Sequence, residues 1–211
     1  MFRTFQVHLE GASPLLLSNC ANSDPLGEAQ KLKEHYSGKR KKSDDDHRHL
    51  RTLDWLYSAY WATEGQVLVD EGENQLGFEG YADPYLPSSN FQRCLRNAAT
   101  RWKLGKATLQ AISVTNDPLL QFDGPKDAVA MFNSRTPKYQ LASFVKRGVW
   151  INRCIIPGWE VDYTLTLDDE VIEVDQFRRI VNAAGKGEGL GTWRPRYGRF
   201  VCTSITELEE A

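Results

Sequence analysis

The sequence predicts an α+β fold built around the order strand, helix, strand, strand, helix, strand. Three observations carry it. Residues 2–10, "FRTFQVHLE", and 161–168, "VDYTLTLD", alternate apolar with polar side chains, as half-buried strands do. Residues 85–106 and 174–185 repeat apolar side chains at helical spacing. A glycine-rich stretch, "GEGLGTWRPRYGRF" at 187–200, then turns the second helix into a last strand.

The elements follow in order. Phe2, Phe5, Val7 and Leu9 are the apolar set of the first strand, slightly out of step at its start. Gly11 and Pro14 bend the chain through "GASPLLLSN", and from Ser23 to about Gly38 it turns polar. The block "GKRKKSDDDHRH", 38–49, is basic and then acidic, and reads as a solvated loop or disordered tip. Leu50, Leu53, Leu56, Tyr57, Tyr60 and Trp61 predict a helix over 50–65 with Gly65 as its stop. Short strands or turns follow to residue 85. In "YLPSSNFQRCLRNAATRWKLGK", Pro87 with Ser88 or Ser89 opens a helix. Phe91, Leu95, Ala98 and Trp102 form its apolar face, and Gly105 ends it. "ATLQAISV" reads as a buried strand. Residues 116–147 lose periodicity around Pro118, Pro125 and Pro137. The 174–185 helix is expected to be capped by Gly185, "FVCTSI" is the last strand, and "TELEEA" is a frayed acidic tail. With 27–80 set aside as an insertion and 116–147 as an irregular thumb-like segment, one domain over 1–211 has a βαββαβ core. That is the ferredoxin-like (RRM-like) plan, two helices behind an antiparallel four-stranded sheet. The open face of such a sheet is a common platform for single-stranded RNA.

Composition narrows the class. Hydrophobic residues at 41% and charged residues at 26% exclude wholesale disorder, and a net charge of −2 gives no global pull toward nucleic acid, leaving room for a local basic surface. Cys20, Cys94, Cys154 and Cys202 have no CxxC pair, which points to reduced, mostly buried thiols and against a zinc site. The start of the chain is no signal peptide, and no apolar run approaches the roughly 20 residues that span a bilayer. A soluble, cytoplasmic protein without metal or cofactor is expected.

"LEGASPLLLSN", "PYLPSSNFQRCLRNAA" and the run from "IIPGWEVDYTLTLDD" to "GTWRPRYGRF" together resemble the RAMP superfamily of CRISPR RNA-binding proteins. The resemblance is nearest to the backbone subunits that polymerise along guide RNA in effector complexes. It rests on a first strand with a Pro-Leu-Leu continuation, a Pro-small-Ser turn opening the first helix, and a C-terminal Gly-rich loop and strand. It covers about half of the chain. It implies a role in CRISPR-related antiviral defence, self-association into filaments or contact with neighbouring RAMP-type subunits, and single-stranded RNA (or single-stranded DNA) as ligand. The 27–80 and 116–145 segments correspond in position to the family's helical insertion and thumb-like hairpin. A stand-alone relative from a virus or mobile element fits the same residues.

The site candidates have a chemical rationale. Gly187, Gly189, Gly191 and Gly198 allow positive φ and let N–H groups converge on a phosphate oxygen. Arg194, Arg196 and Arg199 offer bidentate phosphate contacts, and Trp193 and Tyr197 offer faces for splayed bases. The other reading is a tight turn with packed aromatics and solvated arginines; we take the binding reading. Ser88, Ser89 and Asn90 present helix-start amides and polar side chains to an anion, and Arg93 and Arg96 continue the track. Lys146 and Arg147 are further backbone clamps, or simply a polar loop, whereas Arg101 and Lys103 read as ordinary solvated cations. Some RAMP subunits cleave RNA with an aspartate after the first strand. Asp24 occupies a comparable place, without the usual preceding glycines, and an Asp-Pro turn is preferred for it. His8, His47 and His49 are not well placed for acid–base work. The expected function is therefore non-catalytic binding of single-stranded RNA. The alternatives are a protein–protein module that docks on, caps or mimics such a filament (a CRISPR inhibitor), and a metal-dependent endoribonuclease using Asp24.

Overall fold

The computed structural model describes residues 1–70, 72, 74–134, 138–145 and 149–208. In chain order its elements are β1 (Phe2–Gly11), β2 (Leu15–Leu16), α1 (Glu28–Ser37), α2 (Asp44–Leu56), β3 (Trp61–Thr63), β4 (Gln66–Asp70), β5 (Gln75–Glu79), β6 (Ala82–Pro84), α3 (Ser88–Ala99), α4 (Gly105–Ala111), β7 (Ile112–Val114), α5 (Ala128–Phe132), β8 (Gln140–Val145), β9 (Val149–Ile156), β10 (Glu160–Asp168), α6 (Val174–Gly187) and β11 (Phe200–Leu208). The fold is mixed α and β with antiparallel sheets. The chain divides into two compact units, one of Met1–Leu16, Tyr85–Asp123 and Ile156–Ala211, the other of Leu17–Pro84 and Gly124–Ile155. No helix among the described residues is long and apolar enough to cross a membrane.

The first unit is organised by a sheet in the order β11-β1-β10-β7, every neighbour antiparallel. The alternation in β1 and β10 decides which face is dry. Phe5, Val7 and Leu9 are buried together with Val161, Tyr163, Leu165 and Leu167. Phe2, out of step with that set, is 64% exposed opposite Asp168. α3 and α6 contribute the other half of this core: Phe91 stacks on Tyr163 at 4.5 Å, and Phe177 lies 5.7 Å from Phe5. Gly185 does not cap α6, which runs on to Gly187. Its bare Cα instead lets β11 approach: an added Cβ would meet the Phe200 carbonyl oxygen and lie 2.8 Å from Phe200 Cδ2. "ATLQAISV" also divides differently from the expected strand. Thr108 and Ala111 bury at helical spacing in α4, and only Ile112–Val114 remain extended as β7.

The second unit takes in residues 27–80 and most of 116–147. The charge block 38–49, expected as a solvated tip, starts a helix. Ser43 Oγ accepts the Asp46 N–H at 3.1 Å while Asp46 Oδ2 accepts the Ser43 N–H at 2.8 Å, a capping box. Asp44, Asp45 and Asp46 thus lie in the first turn, where the helix dipole favours negative charge. The helix expected over 50–65 begins earlier and stops at Leu56, because side chains take its last carbonyls. Ser58 Oγ donates to Trp55 O at 2.7 Å and Trp61 Nε1 donates to Leu56 O at 2.9 Å. Trp55 sits at the centre of this core, with Phe132 at 5.0 Å and Trp61 at 5.8 Å, its Nε1 donating to Tyr139 O at 2.7 Å. The segment expected to be irregular carries α5, capped by Asp127 through the Ala130 N–H at 2.9 Å, and β8, paired with β9. Of the cysteines expected as mostly buried thiols, Cys94 and Cys154 are buried, Cys202 is half-buried and Cys20 is exposed.

The cap has a pH signature. The Lys39 ammonium, at 2.5 Å, and the Ser43 amide hold the Asp46 carboxyl down at about 2, against an ordinary 3.8. A depressed carboxyl contributes stability above its unfolded value and loses it as pH falls through the folded one. Wild type should therefore exceed Asp46→Asn in thermal stability by a constant margin at neutral pH. That margin should fade between about pH 4 and about pH 2. A margin unchanged at low pH would remove the Lys39–Asp46 contact from this account.

Candidate nucleic-acid interface

The glycine-rich loop leaves α6 on a fixed path. Glu188 and Gly189 both donate their N–H to Ala184 O, at 3.0 and 2.9 Å. Leu190 is buried and donates to Gly198 O at 2.9 Å. Two further amides stitch the loop to the segment after β1: Thr192 N–H to Leu16 O and Gly198 N–H to Pro14 O, both at 2.9 Å. Arg199 completes the seam, its N–H reaching Ser13 Oγ at 2.9 Å and its carbonyl accepting from Ala12 at 2.8 Å. Gly189, Gly191 and Gly198 have φ of +77°, +72° and +73°, as expected of a turn that only glycine makes cheaply. The amides of Gly189 and Gly198 are thus engaged in closing the turn. What the loop offers outward is its side chains.

Trp193, at φ +53°, is 40% exposed, and its ring lies 6.3 Å from that of Tyr197. The Arg196 guanidinium stands over the Tyr197 ring at 5.6 Å, and Arg199 Nε donates to Pro195 O at 2.9 Å. Arg194 is half-buried beside Cys94 of α3. Burial pushes the Cys94 thiol up to about 12, with the Arg194 charge and the Gly189 amide pulling the other way. Loop and α3 therefore form one surface, on which Arg93 and Arg96 are exposed.

The start of α3 differs from a free anion site. Pro87 is the N-cap without a side-chain bond, and the Ser88 N–H donates to Asp117 Oδ1 at 2.6 Å. Ser88 and Asn90 are half-buried and Ser89 is exposed. A carboxylate covers the amide end that the sequence offers to phosphate, and its charge suits the helix dipole. Asp117 lies 29 residues further on, so no local pattern announces it. Asp117→Ala should cost about 1 kcal/mol as a lost cap, lowering the melting temperature by about 2–4 °C. An unchanged melting curve would show that the cap is idle.

The sheet face away from the helices carries Phe2, Thr4, Gln6, His8 and Glu10 of β1 beside Asp162, Thr164, Thr166 and Asp168 of β10. His8 Nδ1 donates to Asp162 Oδ1 at 2.8 Å, and its Nε2 lies 4.0 and 3.9 Å from the Glu10 and Glu160 carboxylates. Stacking needs adjacent aromatics; here Phe2 faces Asp168, and the carboxylates repel phosphate. The basic surface is on the helix-and-loop side instead.

Asp24 is exposed at the end of the turn Cys20–Ser23, where its Oδ1 accepts the Leu26 N–H at 3.0 Å. Among the described residues no group of three or more His, Cys, Asp or Glu side chains is arranged to hold a metal ion. Lys146 and Arg147 lie outside the described residues. Some cations are paired: Arg3 with Asp169 and Glu207, Lys33 with Asp54, Lys39 with Asp46, Arg48 with Asp45. Among the described residues, Arg93, Arg96, Arg194, Arg196 and Arg199 have no carboxylate within 4.0 Å.

No family model and no curated protein matches the sequence. Among solved structures, the chain is similar to a chain of the Type III-B Cmr-beta complex bound to cognate target RNA, at 11% identity and TM-score 0.46, covering 99% of this chain and 61% of that one. It is also similar to a chain of a Type IV-B CRISPR complex, at 11% identity and TM-score 0.43, covering 99% of this chain and 91% of that one. Both scores lie below 0.5, and neither similarity assigns this chain a function.

Proposed function

We propose that this chain is a non-catalytic single-stranded RNA-binding protein of RAMP type. It grips the phosphate backbone with Arg194, Arg196 and Arg199 of the loop and Arg93 and Arg96 of α3, and stacks bases on Trp193 and Tyr197. The observation that carries the reading is the group of arginines left without carboxylate partners beside an aromatic pair, on a turn whose backbone is already satisfied. Charge and π-faces held outward on a rigid seam suit a ligand with both phosphates and unstacked bases. The sheet order β11-β1-β10-β7, with a helix before β7 and another before β11, supports the ferredoxin-like reading. Ser89 and Asn90 contribute polar side chains rather than helix amides, and Lys146 and Arg147 remain clamps at the end of the thumb-like segment. Asp24, alone and bonded to its own turn, is left out of the chemistry.

Contacts of this kind carry little sequence information and are sensitive to salt. Copies would then bind side by side, with particle size growing with strand length in light scattering. Fluorescence polarisation of a labelled single-stranded RNA tests the reading directly. With five phosphate contacts at a slope of about 0.7 each, affinity should fall about a hundred-fold between about 50 mM and about 200 mM salt. No binding at low salt, or binding indifferent to salt, would sink it.

A further inference from the structure

The sequence gives Trp102 to the apolar face of α3 and treats Arg101 and Lys103 as solvated. The backbone makes something else of them. α3 stops at Ala99, Thr100–Trp102 tighten into a 3-10 turn, and Lys103 takes a left-handed conformation at φ +61°, ψ 20° before α4 begins. A non-glycine residue adopts that conformation only at a cost that an uninterrupted helix to Gly105 would avoid. The rewinding turns Trp102 out of the core, leaving it 40% exposed between exposed Arg101 and Lys103.

The turn also lies where the loop begins. The Arg101 guanidinium rests on Gly187, the last residue of α6; an added Cβ at Gly187 would collide with Arg101 Nη2. From Tyr85 to Asn116 the chain has five cations (Arg93, Arg96, Arg101, Lys103, Lys106) and no acidic residue. Among the described residues none of these five has a carboxylate within 4.0 Å. Between Gln176 and Phe200 the one acidic side chain is Glu188.

We infer that Arg101, Trp102, Lys103 and Lys106 form a second contact patch for the same single strand, with Trp102 stacking on a base and the flanking cations on the adjoining phosphates. A guanidinium, an indole face and two ammonium groups within six residues match the alternation of base and phosphate along an unpaired strand. The inference rests on the binding reading above and extends it from the loop onto the turn between α3 and α4.

The test measures binding of labelled single-stranded RNA, and of a DNA strand of the same sequence, to wild type, to three variants of the patch and to Arg194→Ala with Arg196→Ala, with circular dichroism as folding control. Trp102→Ala should weaken binding about five- to hundred-fold without changing the salt slope, and Trp102→Phe should recover most of the loss. Arg101→Ala with Lys103→Ala should lower the slope by about 1.4. Whichever strand wild type holds more tightly identifies the source of the shared base-and-phosphate chemistry. If wild type binds and all three variants bind like it, the patch is overturned and the loop reading stands. If the Trp102 variant loses binding while Arg194→Ala with Arg196→Ala keeps it, the patch stands and the loop reading falls. If wild type binds neither strand, both are overturned.

Discussion

Replacing Gly198 by alanine is expected to destabilise the protein by about 3 kcal/mol and to lower its melting temperature by about 6–12 °C. Two costs add. At φ +73° an L side chain sits in a region that costs about 1–2 kcal/mol. The new Cβ would also run into the Leu190 carbonyl oxygen, so the backbone must shift. That shift breaks the Leu190–Gly198 and Gly198–Pro14 bonds, worth about 1 kcal/mol each. Gly77→Ala is the control, because nothing lies within 4 Å of its added Cβ; it should change stability by less than about 0.5 kcal/mol. Equal melting curves for the two variants would contradict the close seam between the loop and residues 12–16.

The second large effect is on binding. Arg194→Ala combined with Arg196→Ala should weaken single-stranded RNA binding about thirty-fold at low salt, taking about 1 kcal/mol per lost phosphate contact. The salt slope should fall by about 1.4, because two fewer counterions are released. The far-ultraviolet circular dichroism should stay unchanged, since among the described residues neither guanidinium holds an ion pair. Retained wild-type affinity would make the loop a structural seam and nothing more.

Which parts were legible in the sequence follows from how far each signal reaches. β1, β10 and α6 bury one face, so their period survives in the residues, including the out-of-step Phe2 that ends up exposed. The start of α2 was equally written, as Ser43 three residues before Asp46, but the charge run around it masked the capping box. The break after Ala99 leaves no such mark. Trp102 continues the apolar spacing of α3, and the 3-10 turn Thr100–Trp102, ended by left-handed Lys103, leaves it exposed. Within the candidate site, the sequence disclosed the glycines that take positive φ and the cluster of arginines and aromatics. It did not disclose that the loop's amides are used by Ala184, Pro14 and Leu16, or that Asp117 covers the start of α3. Those partners are distant in sequence, and no local spacing encodes a contact made across the fold.

The approach of Gly185 to Phe200 has a bearing on how this surface can change. Because the helix and the strand touch there, the residues between them form a closed eyelet whose two ends are already fastened. Within it, Tyr197 N–H reaches Trp193 O at 3.3 Å, bridging Arg194, Pro195 and Arg196. Mutation can therefore reword the side chains at those three positions while the fastening that holds the fold is left intact. On the proposed binding reading, the eyelet separates the contacting side chains from those that keep the protein folded, so a new ligand preference can be acquired there without refolding the domain.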